Sequence, residues 1–138
     1  MVVSTKGRYA LRVMANLARR PEELVPLKQI AQEEEISQKY LEAIMTSLSK
    51  AGLVEAMHGK GGGYRLNRPP EEYSVGSILK VTETSLAATV CTADGASCER
   101  AEHCISRPLW QRLDRLIDDF LEGTSLADLL ESGPSLSE

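Results

Sequence analysis

Histidine is scarce. His58 and His103 are the only two, and no Ser/His/Asp, Cys/His or paired-carboxylate arrangement accompanies them. The usual general acid–base and nucleophilic constellations are therefore missing, and the chain is not expected to be an enzyme. Long apolar runs are missing too: nothing approaches the roughly 18 residues that suggest a membrane span. Met1-Val2-Val3 leads straight into polar Ser4-Thr5-Lys6, so no secretory leader is expected. A chain without span or leader is expected in the cytoplasm, where thiols stay reduced. Cysteine is limited to three, an odd number that leaves one thiol out of any disulfide scheme. No Cys-x2-Cys pair occurs, so the usual spacing of a structural zinc site is absent.

What is present is unevenly distributed. The 138 residues suffice for a hydrophobic core without staples. A net charge of −4 argues, taken whole, against a nucleic-acid partner. Residues 1–80, however, carry 12 Lys+Arg and 9 Asp+Glu, whereas residues 81–138 carry 4 and 11. A basic first part joined to an acidic second part suggests a polyanion-binding module with a separate regulatory or oligomerising segment.

All three cysteines fall in one stretch, Cys91 to Cys104, with Cys98 between them. The stretch is polar and rich in Gly, Ala and Ser, without apolar periodicity, and is expected to be a loop. Three clustered thiolates suit soft metals, either zinc or an iron–sulfur cluster. A cluster spreads its ligands around several atoms and tolerates the wide gaps seen here. Zinc, thiol oxidation and three unligated thiols remain the other readings. His103 is a candidate further donor, and Asp94, Glu99 and Glu102 are nearby carboxylates.

Apolar residues Ala10, Leu11, Val13, Met14, Leu17 and Ala18 mark a first helix after Ser4-Thr5, ended near Pro21. Pro26 opens a second, with Leu27, Ile30 and Ala31 inward; Glu33-Glu34-Glu35 are expected to be solvated. Ser37 is placed to cap a third helix over Gln38–Lys50, stopped by Gly52. Two helices joined by a tight turn form the helix-turn-helix pattern. Leu53-Val54-Glu55-Ala56, the Gly-rich His58–Gly63 and Tyr64-Arg65-Leu66 then read as a β-hairpin, the wing of a winged helix. The Gly-rich turn is not strand–loop–helix and lacks a following Lys-Ser/Thr, which argues against a nucleotide-binding P-loop. Ser74 is expected to cap a helix over 75–83. Ser106 is expected to cap a long helix whose Leu109, Leu113, Leu116 and Phe120 form an apolar stripe. That stripe fits packing on the chain's own core or pairing with its twin in a homodimer, and two half-sites favour the dimer. Thr124 is expected to cap a short helix over 125–130, with a frayed tail beyond.

The fold expected is mainly α with a small β-hairpin. Residues 1–83 would form a winged helix-turn-helix, 84–106 a cysteine-containing loop, 107–131 a dimerisation helix and short terminal helix, and 132–138 a tail. The partner expected is double-stranded DNA. Ser37, Gln38, Lys39, Tyr40 and Glu42 would read the major groove from the third helix. His58, Lys60, Gly61 and Gly62 would serve at the wing, and Thr5, Lys6 and Arg8 would hold phosphate.

Ser4-Thr5-Lys6-Gly7-Arg8-Tyr9-Ala10, Ile36-Ser37-x-x-Tyr40-Leu41-Glu42 and Gly59-Lys60-Gly61-Gly62-Gly63-Tyr64 resemble the corresponding segments of the IscR-type regulators. The cysteines sit where that family's cluster ligands sit, and Leu109-Trp110 follows at the family's distance. The resemblance spans roughly residues 1–131. It implies a dimeric winged-helix transcription factor reading a near-palindromic operator, with a cluster on Cys91, Cys98 and Cys104, 2Fe–2S favoured over 4Fe–4S. It also implies relatives that sense nitric oxide, redox state or cysteine supply, and leaves room for a sulfur-metabolism or cluster-assembly partner. The sequence departs from the pattern at three places. Arg107 stands where cluster-binding members have histidine, Arg8 where nitric-oxide sensors have an acidic residue, and His58 where many have a wing arginine. The first cysteine gap is also one residue longer than in the best-known members.

Overall fold

A computed structural model describes residues 2–93 and 99–136, with side chains described as far as residue 132. Six α-helices and one hairpin follow in the order α1 (Thr5–Ala18), α2 (Leu27–Glu34), α3 (Gln38–Lys50), β1 (Val54–Met57), β2 (Gly63–Leu66), α4 (Val75–Thr82), α5 (Arg107–Glu122) and α6 (Leu126–Leu136). The strands pair antiparallel, Val54 opposite Leu66 and Met57 opposite Gly63. The mainly helical winged helix-turn-helix expected from the sequence is therefore present. Among the described residues no helix is long and apolar enough to cross a membrane.

The core is built by the periodic faces. Val13, Met14 and Leu17 of α1 meet Ile30 of α2, Leu41, Ile44, Met45 and Leu48 of α3, and Ile78 of α4, all fully buried. The ends of α3 are set locally. Ser37 Oγ accepts from Tyr40 N at 3.2 Å. At the other end, Leu53 N donates to Leu48 O at 3.0 Å and Gly52 N to Ser49 O at 3.0 Å. This pair of bonds wraps the chain around Gly52 at φ +76, a left-handed position that suits glycine. Tyr73, also buried, donates its hydroxyl to Leu53 O at 2.8 Å and accepts from Asn67 N at 3.0 Å. That fastens the hairpin's exit to the end of α3.

Several local features differ from the sequence expectation. Glu33 and Glu34 are not merely solvated: Asn16 donates to both, Arg20 pairs with Glu33, and Arg12 reaches Glu34. Glu35 takes a left-handed turn at φ 55 that closes α2. Val25, for which the sequence suggested no element, bridges Tyr64 through two 2.9 Å backbone bonds and adds a one-residue third strand to the wing. Ser106 makes no side-chain cap to α5. Thr124 Oγ1 donates backwards to Phe120 O. It is Ser125 that caps α6, reciprocally with Asp128: Ser125 N donates to Asp128 Oδ2 at 2.8 Å and Asp128 N to Ser125 Oγ at 3.1 Å. The helix runs on to Leu136, past the expected end and into the expected tail. It also returns to the core formed by α1 to α4. Leu126 is fully buried in the core, and Leu126 N donates to Tyr73 O at 3.0 Å.

Candidate nucleic-acid interface and cysteine segment

The first turn of α3 presents Gln38, Lys39, Tyr40 and Glu42 to solvent, while Leu41 and Ile44 turn inward. A helix anchored by one apolar face must offer the other, so this exposure follows from the 3.6-residue period. Tyr40 is met from α1. Its ring meets Tyr9 edge-on at 5.7 Å between centroids, 78° apart, and the Arg12 guanidinium lies 5.2 Å from the Tyr9 ring centre. Arg12 in turn donates to the Glu34 carboxylate at 3.3 Å, so α1 braces both helices of the helix-turn-helix. Lys6 Nζ donates to Ser47 Oγ at 3.0 Å, a second brace between α1 and α3. Arg8 Nη2 donates to Thr5 Oγ1 at 3.2 Å at the exposed start of α1.

At the wing, His58, Gly59, Lys60 and Gly61 are exposed and Gly62 is half-buried. The hairpin's geometry requires glycine for two different reasons. Gly61 has a left-handed φ of +78 with open space around it. Gly63 is crowded: a Cβ there would stand 2.5 Å from the carbonyl of Val25. Glu55 and Arg65, opposite one another, form a 2.8 Å ion pair across the strands. The sequence reading missed Tyr9, Arg12 and Ser47 as supports of this face. Tyr9 and Arg12 lie at i and i+3 on α1, a spacing that makes them neighbours, but nothing local pairs them with Tyr40.

Cys91 lies in a 3-10 turn, Val90–Thr92, half-buried, with its Sγ 3.2 Å from Thr89 Oγ1. Cys104 is half-buried too, its Sγ 3.3 Å from Ser106 Oγ. The Ser106 hydroxyl, the backbone N–H groups of Ser106 and Arg107 and the Arg107 charge hold the Cys104 thiol below its usual pKa. Arg107 also donates to the Cys91 carbonyl at 3.4 Å. Arg107 thus touches one cysteine's backbone, while Ser106 first and Arg107 after it favour the other's thiolate, the form in which cysteine binds soft metals. This donor chemistry fits a thiolate-held group. Among the described residues, no three His, Cys, Asp or Glu side chains converge on a common point. Cys98 and Asp94 lie outside the described residues. His103 is exposed, its backbone N–H donating to Arg100 O at 3.0 Å, and Glu99 and Glu102 are exposed as well.

Helix α5 buries no residue completely. Leu109, Leu116 and Phe120 are 59%, 58% and 71% exposed, and with Leu113 they leave an apolar stripe uncovered. Its other side is tied to α4: Lys80 pairs with Asp118 and Glu122 at 2.8 Å each, and Ser74 donates to Glu122 at 2.9 Å.

Comparison with known proteins places this geometry. The HTH-type transcriptional regulator IscR of Aliivibrio salmonicida is 39% identical over 131 residues, covering 94% of this chain and 77% of that protein. Among solved structures, IscR of T. potens aligns with a TM-score of 0.77 and 34% identity, over 96% of this chain and 88% of the other. CymR, the global cysteine regulator of B. subtilis, aligns with a TM-score of 0.77 and 36% identity, over 94% and 95%. Residues 3–132 match the family described as Rrf2, iron-dependent transcriptional regulators. The chain belongs to the Rrf2 family, and is a DNA-binding winged helix-turn-helix transcriptional regulator rather than an enzyme.

Proposed function

We propose that this regulator reads a near-palindromic operator as a homodimer in the cytoplasm, and that an iron–sulfur cluster on Cys91, Cys98 and Cys104 tunes the reading. The observation that carries the cluster reading is the setting of Cys91 and Cys104. They are two half-buried thiols on one segment, with Arg107 contacting the first residue and Ser106, seconded by Arg107, favouring the thiolate of the second. The match to a family described as iron-dependent regulators adds support, and 2Fe–2S is proposed in preference to 4Fe–4S. When bound, the cluster would supply an oxidisable, iron-dependent cross-link among the thiolates. His103 is the candidate for a further donor. The dimer reading rests on the α5 stripe, because an apolar face this exposed is normally covered by another surface. Gln38, Lys39, Tyr40 and Glu42, with Ser37 as cap, are assigned to the major groove. His58, Lys60, Gly61 and Gly62 are assigned to the wing contact, and Thr5, Lys6 and Arg8 to phosphate.

The test is anaerobic purification with iron, sulfide and zinc analysis and an absorption spectrum, followed by operator titration. Loaded protein, stripped protein and Cys91→Ala are compared. A coloured protein with iron and sulfide, whose operator affinity changes on stripping and in the variant, is expected. A colourless protein with one zinc per chain overturns the cluster reading.

A second reading is favoured by Arg107, which occupies the place where cluster-binding relatives have histidine. In it the acidified Cys104 thiol, or zinc, does the sensing, and an enzyme of sulfur metabolism docks as partner. The structural likeness to a global cysteine regulator points the same way.

A further inference from the structure

The end of α4 meets the start of α1 through one side chain. The Glu83 carboxylate accepts the backbone N–H of Ser4 on one oxygen and the Ser4 hydroxyl, at 2.6 Å, on the other. Ser4 is the N-cap of α1, its Oγ accepting from Gly7 N at 3.0 Å. The two helices approach closely at this point. A Cβ on Gly7 would stand 3.0 Å from Glu83 Oε1 and 3.1 Å from Thr82 Oγ1. Two residues beyond Ser4, Lys6 makes its bond to Ser47 of α3. The first turn of α1 is therefore bonded both to Glu83 at the end of α4 and to Ser47 on the flank of α3.

The same residue stands where the cysteine segment begins. Glu83 and Thr84 line an open cleft of about 430 Å³, with Thr92 and Asp114 on its other walls. The segment is pinned to α5 there, Ala88 N donating to Asp114 Oδ1 at 2.6 Å. Through Lys80 and Ser74, α4 itself is fastened to α5. So α4 is tied to α5 and packed against α1, while its end faces the cysteine segment across the cleft. Two bonds from a single carboxylate to a single residue fix direction as well as distance. A small shift of the α4 terminus would then carry Ser4 with it.

We propose that Glu83 is a positioning residue that transmits displacement of the cysteine segment to the DNA-reading end of α1 and α3. The proposal deepens the metal-dependent reading given above and rests on it for the source of the displacement. In physical terms it names a chain of packed contacts through which the two sites would couple.

The test uses the full chain of wild type, Glu83→Gln and Glu83→Ala, with a duplex operator selected from random DNA by the wild-type protein. Operator affinity is measured for the loaded and the stripped form of each. The absorption spectrum of the loaded form and the thermal midpoint report metal retention and folding. The expected result is an unchanged spectrum and a similar midpoint, with the loaded-to-stripped affinity ratio falling to within about twofold of one. A ratio equal to that of wild type overturns the proposal. If loaded and stripped wild type bind alike, the metal-dependent reading fails on its own. The positioning role is then decided by the stripped proteins: Glu83→Ala must weaken operator binding by about threefold or more, and equal affinity overturns it.

Discussion

The side-chain amide of Asn16 donates to Glu34 at 2.8 Å, joining the middle of α1 to the end of α2. Asn16 is the one buried polar residue among the described residues, at 4% exposure. The same amide donates to Glu33 at 3.1 Å, and its oxygen accepts from Arg20 at 2.8 Å. Every hydrogen-bonding atom of the side-chain amide therefore has a partner. Replacing Asn16 by Ala leaves carboxylate oxygens and an Arg20 N–H short of partners, and is expected to cost about 1–3 kcal/mol. Urea unfolding monitored by circular dichroism measures this. An Asn16→Ala midpoint equal to that of wild type would show that the network contributes nothing.

Acid should loosen the same joint. The Arg20 side chain, followed by Asn16 and Gln29, holds the Glu33 carboxyl at a pKa of about 2, below its ordinary 4.5. A depressed carboxyl pKa contributes stability that is present above 4.5 and is lost as pH falls towards 2. Glu122 is also lowered, chiefly by Lys80, so the wild-type acid profile combines both groups. Glu33→Gln isolates one of them. Its urea midpoint should lie below that of wild type at neutral pH, and the two profiles should converge as pH falls through that window. Parallel profiles over the whole range would contradict this assignment.

Two wing glycines should respond differently to alanine. At Gly63 the added Cβ would stand 2.5 Å from the Val25 carbonyl and force apart the Val25–Tyr64 bridge. Gly63→Ala is expected to destabilise the fold by about 2 kcal/mol or more, because backbone has to move. Gly61→Ala meets open space and only an unfavourable φ of +78. Its cost is expected to be about 1 kcal/mol, confined to the turn. Thermal unfolding of the two variants side by side checks the order. The reverse order would mean that turn conformation matters more than close approach.

Legibility followed the range of the interactions. Helix faces, the α3 cap at Ser37, the stop at Gly52 and the hairpin could be read because each depends on neighbours within a turn or two. The run Glu33-Glu34-Glu35 could not. Glu33 and Glu34 are held by Asn16 and Arg12 of α1 and by Arg20 just beyond its end, and Glu35 fills a left-handed position that usually marks itself with glycine. Thr124 masked the Ser125-x-x-Asp128 capping pair one residue later, although that pair was visible as a spacing. In the candidate site, the exposed residues of α3 follow from periodicity. Their supports, Tyr9 against Tyr40 and Lys6 against Ser47, are contacts between separate helices and leave no local signature. Glu83 and Ser4 are further apart still, 79 positions along the chain.

The exposed stripe on α5 gives a prediction about assembly that can be separated from folding. Leu109, Leu116 and Phe120 contribute little to the chain's own core, whereas Leu126 just beyond them is wholly buried in it. Leu116→Glu is therefore expected to leave the helical circular dichroism of dilute protein nearly unchanged. Burying an unpaired carboxylate at the centre of a helix pair costs several kcal/mol, which would weaken a dimer by about a thousandfold or more. Sedimentation equilibrium should show wild type as a dimer and the variant as a monomer at the same concentration. Operator binding should then lose its dependence on two half-sites, so that a full operator and an isolated half-site bind with similar affinity. A dimeric Leu116→Glu variant would place the subunit contact elsewhere. Leu126→Ala is the contrasting case: it should lower the thermal midpoint by removing a core side chain, at about 2–5 kcal/mol, while leaving the α5 stripe itself intact.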